Sequence, residues 1–320
     1  MARKPLKIVF FGTAEFAVPS LAALREAGHE ILAVVTQPDK PQGRGMKLTA
    51  SPVKLVAEVE GLTVLQPRRV RSESFVTDMR ERMPDLLVVA AFGQVIPQSL
   101  LDLPPLGPIN VHGSLLPQYR GAAPIQRALM AGEAELGVTT MWMDATLDTG
   151  DMLLKGSISV EEDDNAGTLI PRLAALGARL LIQTIEGLVE GNLRRVPQDN
   201  AAATFAPAVL LEDGMLRWSE NAAVIHNRVR GVSPKPGAFT SVREKRLKVW
   251  KTSIGSSTDL LADAGTVLAI AKNPAGVLVA CGEGSALLLQ EVQPESGKRM
   301  SAADWARGIR LGPGDRFSSP

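Results

Sequence analysis

The stretch Ile109–Pro117 reads INVHGSLLP and decides how the N-terminal part of the chain is arranged. Ile109 to His112 have the composition of a buried strand that ends at a loop. Side chains two positions apart on a strand share a face, so Asn110 and His112 should project together. In open α/β sheets, ligands bind beyond the carboxyl ends of the strands. The pair is therefore a candidate for a functional site at a strand end.

Strand-like and helix-like segments alternate on both sides of this stretch. Strands are predicted at residues 6–12, 30–36, 62–67, 85–93, 109–112, 137–144 and 151–160. Helices are predicted from Val18 to the residues before Gly28, and at 72–83, 124–131 and 167–190. Continuous apolar strands that alternate with helices are typical of an α/β fold with a parallel or mixed sheet covered on both faces.

The pattern changes after residue 190. Residues 191–208 have no apolar period and contain prolines, so they are predicted to be a linker. Residues 209–320 combine a short helix at 221–230 with several alternating strands, which predicts a five-stranded β-barrel of the OB type. Basic residues exceed acidic ones in this part, whereas acidic residues exceed basic ones in 1–208. The excess suits contact with a nucleic-acid backbone, but an ordinary solvated surface explains it equally well.

The composition excludes several classes of protein. The chain has 320 residues, of which 45% are hydrophobic and 22% charged, as in globular domains. Its one cysteine, Cys281, allows no internal disulfide and fits a reducing cytoplasm. The apolar run near the start is too short for a signal peptide, and no stretch reaches the roughly 18 apolar residues of a membrane span. The dinucleotide G-x-G-x-x-G, the P-loop, zinc-protease motifs and the G-x-S-x-G elbow are all absent.

The residue types at the strand end suit acyl-transfer chemistry. An amide and an imidazole can donate hydrogen bonds to an oxyanion, and imidazole also moves protons near neutral pH. Asp148, in MDATLDTGDM, is the candidate carboxylate that would orient His112. The alternative interpretation is non-catalytic: His112 has a structural role and Asp148 only forms a turn. The residues by themselves leave both interpretations open.

A longer pattern resembles the folate-dependent formyltransferases. It comprises FGTAEFAVPSL, TQPDKPQGRGMKLTASPVK, VVAAFGQVIP, INVHGSLLPQYRGAAPIQRAL, GVTTMWMDATLDTGDML and SAADWARG, and it extends over essentially the whole chain. The resemblance implies a Rossmann-like formyltransferase domain at 1–190, a linker at 191–208 and an OB-like tRNA-binding domain at 209–320. It implies transfer of the formyl group of 10-formyltetrahydrofolate to the α-amino group of methionyl-initiator tRNA, in the cytoplasm, for translation initiation.

Site residues follow from the resemblance position by position. Asn110, His112 and Asp148 match the catalytic residues of the family. The expected folate-binding positions are Ser114, Leu115, Leu116, Pro117, Phe92, Gln94, Ile96 and Asp144, with the backbone around Phe92 to Ile96 and the loop Asp144 to Asp148 lining the pterin pocket. No metal and no membrane are expected, and the expected partners are methionyl-initiator tRNA and tetrahydrofolate derivatives. The chain is expected to be a monomer.

The segment 38–48, PDKPQGRGMKL, is predicted to be a loop that carries Lys40, Arg44 and Lys47. It is either an ordinary mobile surface loop or a basic finger that orders on an RNA backbone. The resemblance implies the second, with Arg44 as the chief contact.

Other functions remain as alternatives. They are formylation of a glycinamide ribonucleotide or a sugar nucleotide, hydrolysis of formyl-folate, and RNA binding without catalysis. The basic segment and the barrel argue against the glycinamide ribonucleotide as substrate and against formyl-folate hydrolysis. RNA binding alone leaves Asn110, His112 and Asp148 unexplained. The chain departs from the family pattern at Lys235, Ala208 and Arg217, where Trp, Lys and Asp are frequent.

Overall fold

The computed structural model describes residues 5–42, 45–256 and 262–318. The chain forms two compact units. The first contains the chain up to Pro124 together with Glu135–Ser159 and Ile170–Pro207. The second contains Ile125–Ala134, Val160–Leu169 and the chain from Ala208 onward.

The strands of the first unit follow the predicted apolar runs, with a hairpin added. In chain order they are β1 (Lys7–Gly12), β2 (Glu30–Val35), β3 (Lys40–Gln42), β4 (Lys47–Thr49), β5 (Val64–Leu65), β6 (Leu86–Ala90), β7 (Pro108–His112), β8 (Glu135–Trp142) and β9 (Met152–Ser159). All but β3 and β4 form one sheet in the spatial order β5-β2-β1-β6-β7-β8-β9. Strands β5 to β7 in that order are parallel, whereas β8 and β9 are antiparallel. The predicted Rossmann-like, mostly parallel sheet is therefore confirmed.

The helices in the described chain before Pro207 are α1 (Val18–Glu26), α2 (Pro52–Val59), α3 (Glu73–Arg82), α4 (Gln98–Leu101), α5 (Pro124–Ala131) and α6 (Ala166–Glu190). Helix α2 was missed from the sequence, although a capping signal is present. The hydroxyl of Ser51 accepts a hydrogen bond from the Lys54 N–H at 3.1 Å, and Pro52 occupies the first helical turn. Both residues are favoured at these positions because they satisfy or remove unpaired N–H groups.

The central strands are buried, and apolar side chains project from both of their faces. Every residue of β6 and β7 is buried, as are all residues of β1 after Lys7. On one face, Phe11 packs edge-on against Phe92 with ring centroids 5.3 Å apart. Such double burial explains why these strands are continuous apolar runs instead of alternating ones.

Helix α6 is long and apolar enough to cross a membrane by length and composition alone, although polar residues interrupt its apolar sequence. Within its most apolar window, 56% is buried inside the protein. Leu169, Leu173 and Leu181 on this helix are fully buried. The helix therefore has the burial of a core helix of a globular domain.

The second unit includes most of α5 and the start of α6, and from Ala208 onward it is an antiparallel β domain with two α-helices among its described residues. Its elements are α7 (Ala222–Val232), β10 (Ala238–Val242), β11 (Lys245–Gly255), β12 (Val267–Lys272), β13 (Ala275–Ala280), β14 (Ala286–Pro294), β15 (Met300–Ser301), α8 (Ala302–Gly308) and β16 (Phe317–Ser318). The strand order is β12-β13-β14-β11-β10-β16, with β15 beside β14. An antiparallel bridge between Thr266 and Arg316 joins the two ends of this order. The predicted C-terminal β domain is confirmed, and α8 is an addition to it.

Candidate active site

Three polar side chains meet at the end of β7. Asn110 and His112 are 8% and 5% exposed and lie two residues apart on this strand. Asp148 comes from the loop between β8 and β9, and its Oδ1 lies 3.7 Å from Nδ1 of His112. The same oxygen accepts a hydrogen bond from Nδ2 of Asn110 at 3.5 Å. An amide, an imidazole and a carboxylate thus share one corner. The shared face of Asn110 and His112 is the one predicted from the strand, and the carboxylate is the candidate Asp148.

The hydrogen bond of His112 to the backbone defines the chemistry of its ring. Its Nε2 lies 3.0 Å from the carbonyl oxygen of Tyr119. A carbonyl oxygen can only accept, so Nε2 carries a proton and the neutral ring has its lone pair on Nδ1. Nδ1 is the nitrogen that faces Asp148. A proton taken up at Nδ1 therefore produces an imidazolium beside a carboxylate, which stabilises the charge.

The backbone of Asp148 is held in a conformation that is unfavourable for a residue with a side chain. Its φ is +53°, in the left-handed region, which costs a non-glycine residue about 1 kcal/mol or more. Oδ2 of Asp148 accepts a hydrogen bond from the Gly121 N–H at 2.9 Å. The side-chain amide of Gln198 donates a hydrogen bond to the backbone carbonyl oxygen of Asp148 at 2.8 Å. The neighbouring structure therefore fixes both the backbone and the carboxylate.

The turn after β7 is fastened to β8 and β9. Thr139 accepts from the Leu116 N–H at 3.1 Å and donates to the Ser114 carbonyl at 2.7 Å. The ammonium of Lys155 donates to the Leu116 carbonyl, and desolvation by burial lowers the pKa of this lysine. The hydroxyl of Ser114 donates to the Gln118 carbonyl at 2.6 Å. The predicted folate segment Ser114–Pro117 is therefore a tightly bonded turn next to His112.

The remaining predicted folate positions differ in what their side chains do. Phe92 and Ile96 are 2% and 3% exposed and belong to the core. The Phe92 carbonyl accepts hydrogen bonds from the side chains of Thr13 and Gln37 at 2.9 and 3.0 Å. Gln94 holds the segment before α3 through the Val70 N–H and the Pro67 carbonyl.

Asp144 folds the loop that leads to Asp148. Its carboxylate accepts hydrogen bonds from the backbone and hydroxyl of Thr146 at 2.9 and 2.7 Å, and from the hydroxyl of Thr149 at 2.8 Å. The structure thus shows a local role for this predicted folate position, which is to shape the turn next to the candidate catalytic carboxylate.

The basic segment 38–48 is a β-hairpin where the sequence predicted a loop. Strands β3 and β4 pair antiparallel, with Lys40 opposite Thr49. All three residues of β4 are exposed. Lys40 and Lys47 are exposed. Arg44, the residue predicted as its chief contact, lies outside the described residues.

The base of this hairpin is bonded to α2 and to the segment after β5. The ammonium of Lys54 lies 2.8 Å from Oδ2 of Asp39, and the Gln66 amide donates to the other carboxylate oxygen at 2.7 Å. These hydrogen bonds, that from Lys54 first, lower the pKa of Asp39. The hairpin is therefore anchored at its root.

Arg120 and Gln198 are functional candidates that the sequence analysis missed. Arg120 is 4% exposed, and its guanidinium donates to Oε1 of Gln198 and to Oδ1 of Asn200 at 3.0 and 2.9 Å. The segment 191–208 was predicted to be a linker without a core. The only signal in the sequence for a functional role of this segment is its polar cluster PQDN. Nothing in the sequence indicates which loop such a cluster contacts.

Known proteins resemble this chain over nearly its full length. The formyl transferase family matches residues 6–185, and the formyl transferase C-terminal domain matches residues 210–310. The methionyl-tRNA formyltransferase of Geobacter metallireducens is 49% identical over 98% of this chain and 98% of its own. That of Acetivibrio thermocellus is 46% identical over 97% of this chain and 99% of its own.

Two solved structures share the fold at low identity. An N-formyltransferase from Helicobacter canadensis, in complex with folinic acid and dTDP-3-aminofucose, has a TM-score of 0.64 at 16% identity and covers 89% of this chain and 99% of its own. HypX from Aquifex aeolicus, in complex with tetrahydrofolic acid, has a TM-score of 0.61 at 16% identity and covers 95% of this chain and 47% of its own. Because both domains match and nearly half of all residues are identical to those of full-length relatives, this chain belongs to the formyl transferase family.

Proposed function

We propose that this chain transfers the formyl group of 10-formyltetrahydrofolate to the α-amino group of methionyl-initiator tRNA, for translation initiation. The identity of 49% over nearly the whole of both chains supports this substrate pair. The observation that carries the chemistry is the meeting of Asn110, His112 and Asp148 within 3.7 Å at one buried strand end. A protein that only bound RNA would gain nothing from this arrangement.

Acyl transfer to an amine makes two demands on the protein. When the amino nitrogen attacks the formyl carbon, negative charge develops on the formyl oxygen, and a proton must leave the nitrogen. The Asn110 amide can donate a hydrogen bond to that oxygen. Nδ1 of His112 can take up the proton that leaves the attacking nitrogen, because Nε2 is already committed to the Tyr119 carbonyl. It can then donate this proton to the folate nitrogen as the bond between that nitrogen and the formyl carbon breaks, which releases tetrahydrofolate. Asp148 balances the positive charge on the ring. The chain forms no covalent intermediate in this scheme.

The donor would lie against the turn Ser114–Pro117 and the backbone of residues 92–96. Most of the polar atoms of this region already hold the protein together, as for Ser114 and Asp144. Shape and backbone groups are therefore expected to bind the pterin, with Gln94 and the loop Asp144 to Asp148 at its border.

The tRNA is proposed to contact the hairpin of the first unit and the β domain of the second. Lys40 and Lys47 are exposed on the hairpin, and Arg44 lies between them in the sequence. In the second unit, Arg246, Lys248 and Trp250 alternate with buried residues along β11 and so share its outer face. Cations next to an aromatic ring are a common way to hold a nucleic-acid strand.

The proposed place of action is the cytoplasm, where charged tRNA is used, and the proposed state is a monomer.

The single cysteine is buried, and burial raises its pKa to about 12, so its thiol stays uncharged. Such a thiol is a poor nucleophile and is not needed for the reaction.

The test is formyl transfer from 10-formyltetrahydrofolate to charged initiator tRNA, charged elongator tRNA and free methionine. We expect formylation of charged initiator tRNA to be the fastest by a wide margin. Uncharged initiator tRNA is the matched control, since it lacks the amino group. Formyl-folate cleavage at the same rate without charged tRNA would mean a hydrolase and would overturn the proposal.

A further inference from the structure

The side chain of Gln198 connects the loop that contains Asp148 and Gly150 to Arg120. Its Nε2 donates to the carbonyl oxygens of Asp148 and Gly150, both at 2.8 Å. Its Oε1 accepts from Nε of Arg120 at 3.0 Å. Carbonyl oxygens only accept and a guanidinium only donates, so the amide has a single possible orientation. Gln198 is therefore fixed at both ends of its amide.

Arg120 is itself held in place by neutral groups. It is almost completely buried, and its second acceptor is Oδ1 of Asn200 at 2.9 Å. Among the described residues no carboxylate lies within 4.0 Å of its guanidinium. A buried cation bonded only to amide oxygens orients those amides strongly, because charged donors form the stronger hydrogen bonds.

A second anchor from the same segment reaches the carboxylate of Asp148. The Ala206 N–H donates a hydrogen bond to the Arg120 carbonyl oxygen at 2.7 Å. Gly121 follows with φ of +126°, and a Cβ there would lie 2.7 Å from the Ala206 carbonyl oxygen. This close approach presents the Gly121 N–H to Oδ2 of Asp148. Residues 198–206 thus fix both the backbone and the side chain of Asp148.

The course of the chain explains why such anchors are needed. Strand β8 is antiparallel to β7, and its last residue, Trp142, pairs with Ile109, not with His112. The loop after β8 therefore starts about 10 Å away from His112 along the strand direction. It must return over that distance to bring Asp148 to His112, and its own strand does not guide it there.

We propose that Gln198 is a positioning residue for formyl transfer, which acts by holding Asp148 against His112. The proposal rests on the proposed function for its kinetic readout. Gln198 touches no reacting atom. Its two hydrogen bonds to the carbonyls of Asp148 and Gly150 maintain the left-handed backbone that aims the carboxylate.

The variant Gln198→Glu separates this role from packing. Glutamate has the same shape and still accepts from Arg120, now as a carboxylate, so the fold keeps its buried contact. An ionised carboxylate cannot donate to the two carbonyls. We expect kcat to fall about 10- to 100-fold, because a catalytic group displaced by about 1 Å can cost that much. KM for both substrates should change less than about twofold, and the melting temperature should stay near that of the wild type.

The control is Gln183→Glu on the exposed face of α6, which introduces the same charge into the same unit. It should leave kcat, KM and melting temperature unchanged. If Gln198→Glu keeps a normal kcat, the positioning role is refuted. The role is also refuted if kcat falls only in proportion to a loss of folded protein, since that is what packing alone would produce.

A double variant tests whether Gln198 acts through Asp148. In the Asp148→Asn background, adding Gln198→Glu should reduce kcat by less than about twofold, because the group that Gln198 positions has already lost its charge. If the fold-losses in kcat of the two single variants multiply in the double variant, the proposal is overturned.

A crystal structure of Gln198→Glu supplies a readout that needs no activity. We expect the Asp148 backbone to leave the left-handed region or its carboxylate to move away from His112, and an unchanged loop would overturn the proposal. A wild-type chain that is inactive with charged initiator tRNA would instead refute the proposed function, and this structure would still decide the role of Gln198.

Discussion

Nδ1 of His112 lies 3.7 Å from Oδ1 of Asp148, and the carboxylate faces the one ring nitrogen that the backbone leaves free. The opposite nitrogen is bonded to the Tyr119 carbonyl. The pair can therefore change its protonation at one defined atom, and the neighbouring Asn110 amide supplies a neutral donor beside it. This geometry gives each of the three residues a different proposed task.

Loss of a donor at this corner should slow the reaction without unfolding the protein. Asn110→Ala should lower kcat about 10²- to 10³-fold, the usual effect of one oxyanion donor. His112→Ala should lower it about 10²- to 10⁴-fold, the usual contribution of a general acid–base group. The melting temperature should change little, because polar groups at a strand end contribute little core packing. Steady-state kinetics and thermal melts check this. A His112→Ala protein with near-normal kcat, or one that does not fold, would make the histidine structural.

His112 and Asp148 should act as a unit. The double variant His112→Ala/Asp148→Asn should be only slightly slower than the slower single variant, since the carboxylate acts through the ring. Kinetics on the wild type, both single variants and the double variant measure this coupling. Independent, multiplying losses would mean that Asp148 acts on the substrate directly.

The hairpin should contact the phosphate backbone of the tRNA. Lys47→Ala and Arg44→Ala should each raise KM for tRNA, leave KM for the folate unchanged, and flatten the log–log salt dependence of tRNA binding by about one unit. Lys7→Ala is a control, because Lys7 is exposed at the opposite end of the sheet. Normal values in both hairpin variants would make it an ordinary surface hairpin.

The outer face of β11 should contribute to tRNA binding in the same way. The ammonium of Lys248 lies 5.5 Å from the centre of the Trp250 ring, and the Arg299 guanidinium lies 5.4 Å from it. Lys248→Ala should raise KM for tRNA severalfold and reduce the salt slope, with folate use intact. Lys272→Ala, at the exposed end of β12, is the matched control. An equal effect there would indicate diffuse charge instead of a defined face.

His226 should make the second unit less stable in acid. Its Nδ1 lies 2.8 Å from the Thr252 hydroxyl, and burial, with a smaller contribution from Arg230, lowers the pKa of its ring from 6.5 to about 4. As the pH falls from about 6.5 towards 4, the unfolded chain binds a proton that the folded one does not, so stability is lost. Full stability is present above 6.5.

The variant His226→Gln should show a smaller loss of melting temperature between pH 7.5 and pH 4.5 than the wild type. Both proteins share all other acid-sensitive groups, so the difference between their slopes reports this ring. Parallel slopes would mean that the ring is protonated in the folded protein.

Much of the fold could be predicted from local patterns. Apolar runs predicted every strand of the main sheet within a few residues, because a strand buried on both faces has few polar positions to obscure it. The pleat alone predicted that Asn110 and His112 share a face. Helix α2 was missed, although Ser51 and Pro52 carry its capping signal. The hairpin at 40–49 was missed because Gly and Pro hide a strand pattern.

The sequence by itself determined which side chains were available for the chemistry and which strand carries two of them. Only the tertiary structure decided that Asp148 reaches them. Because β8 is antiparallel to β7, the loop that carries Asp148 starts opposite Ile109, and hydrogen bonds from Gly121 and from Gln198, which Arg120 orients, hold Asp148 near His112. The physical reason is range. Strand propensity and side-chain alternation depend on adjacent residues, whereas these hydrogen bonds join segments separated by 27 to 78 positions, and no local pattern encodes such pairs.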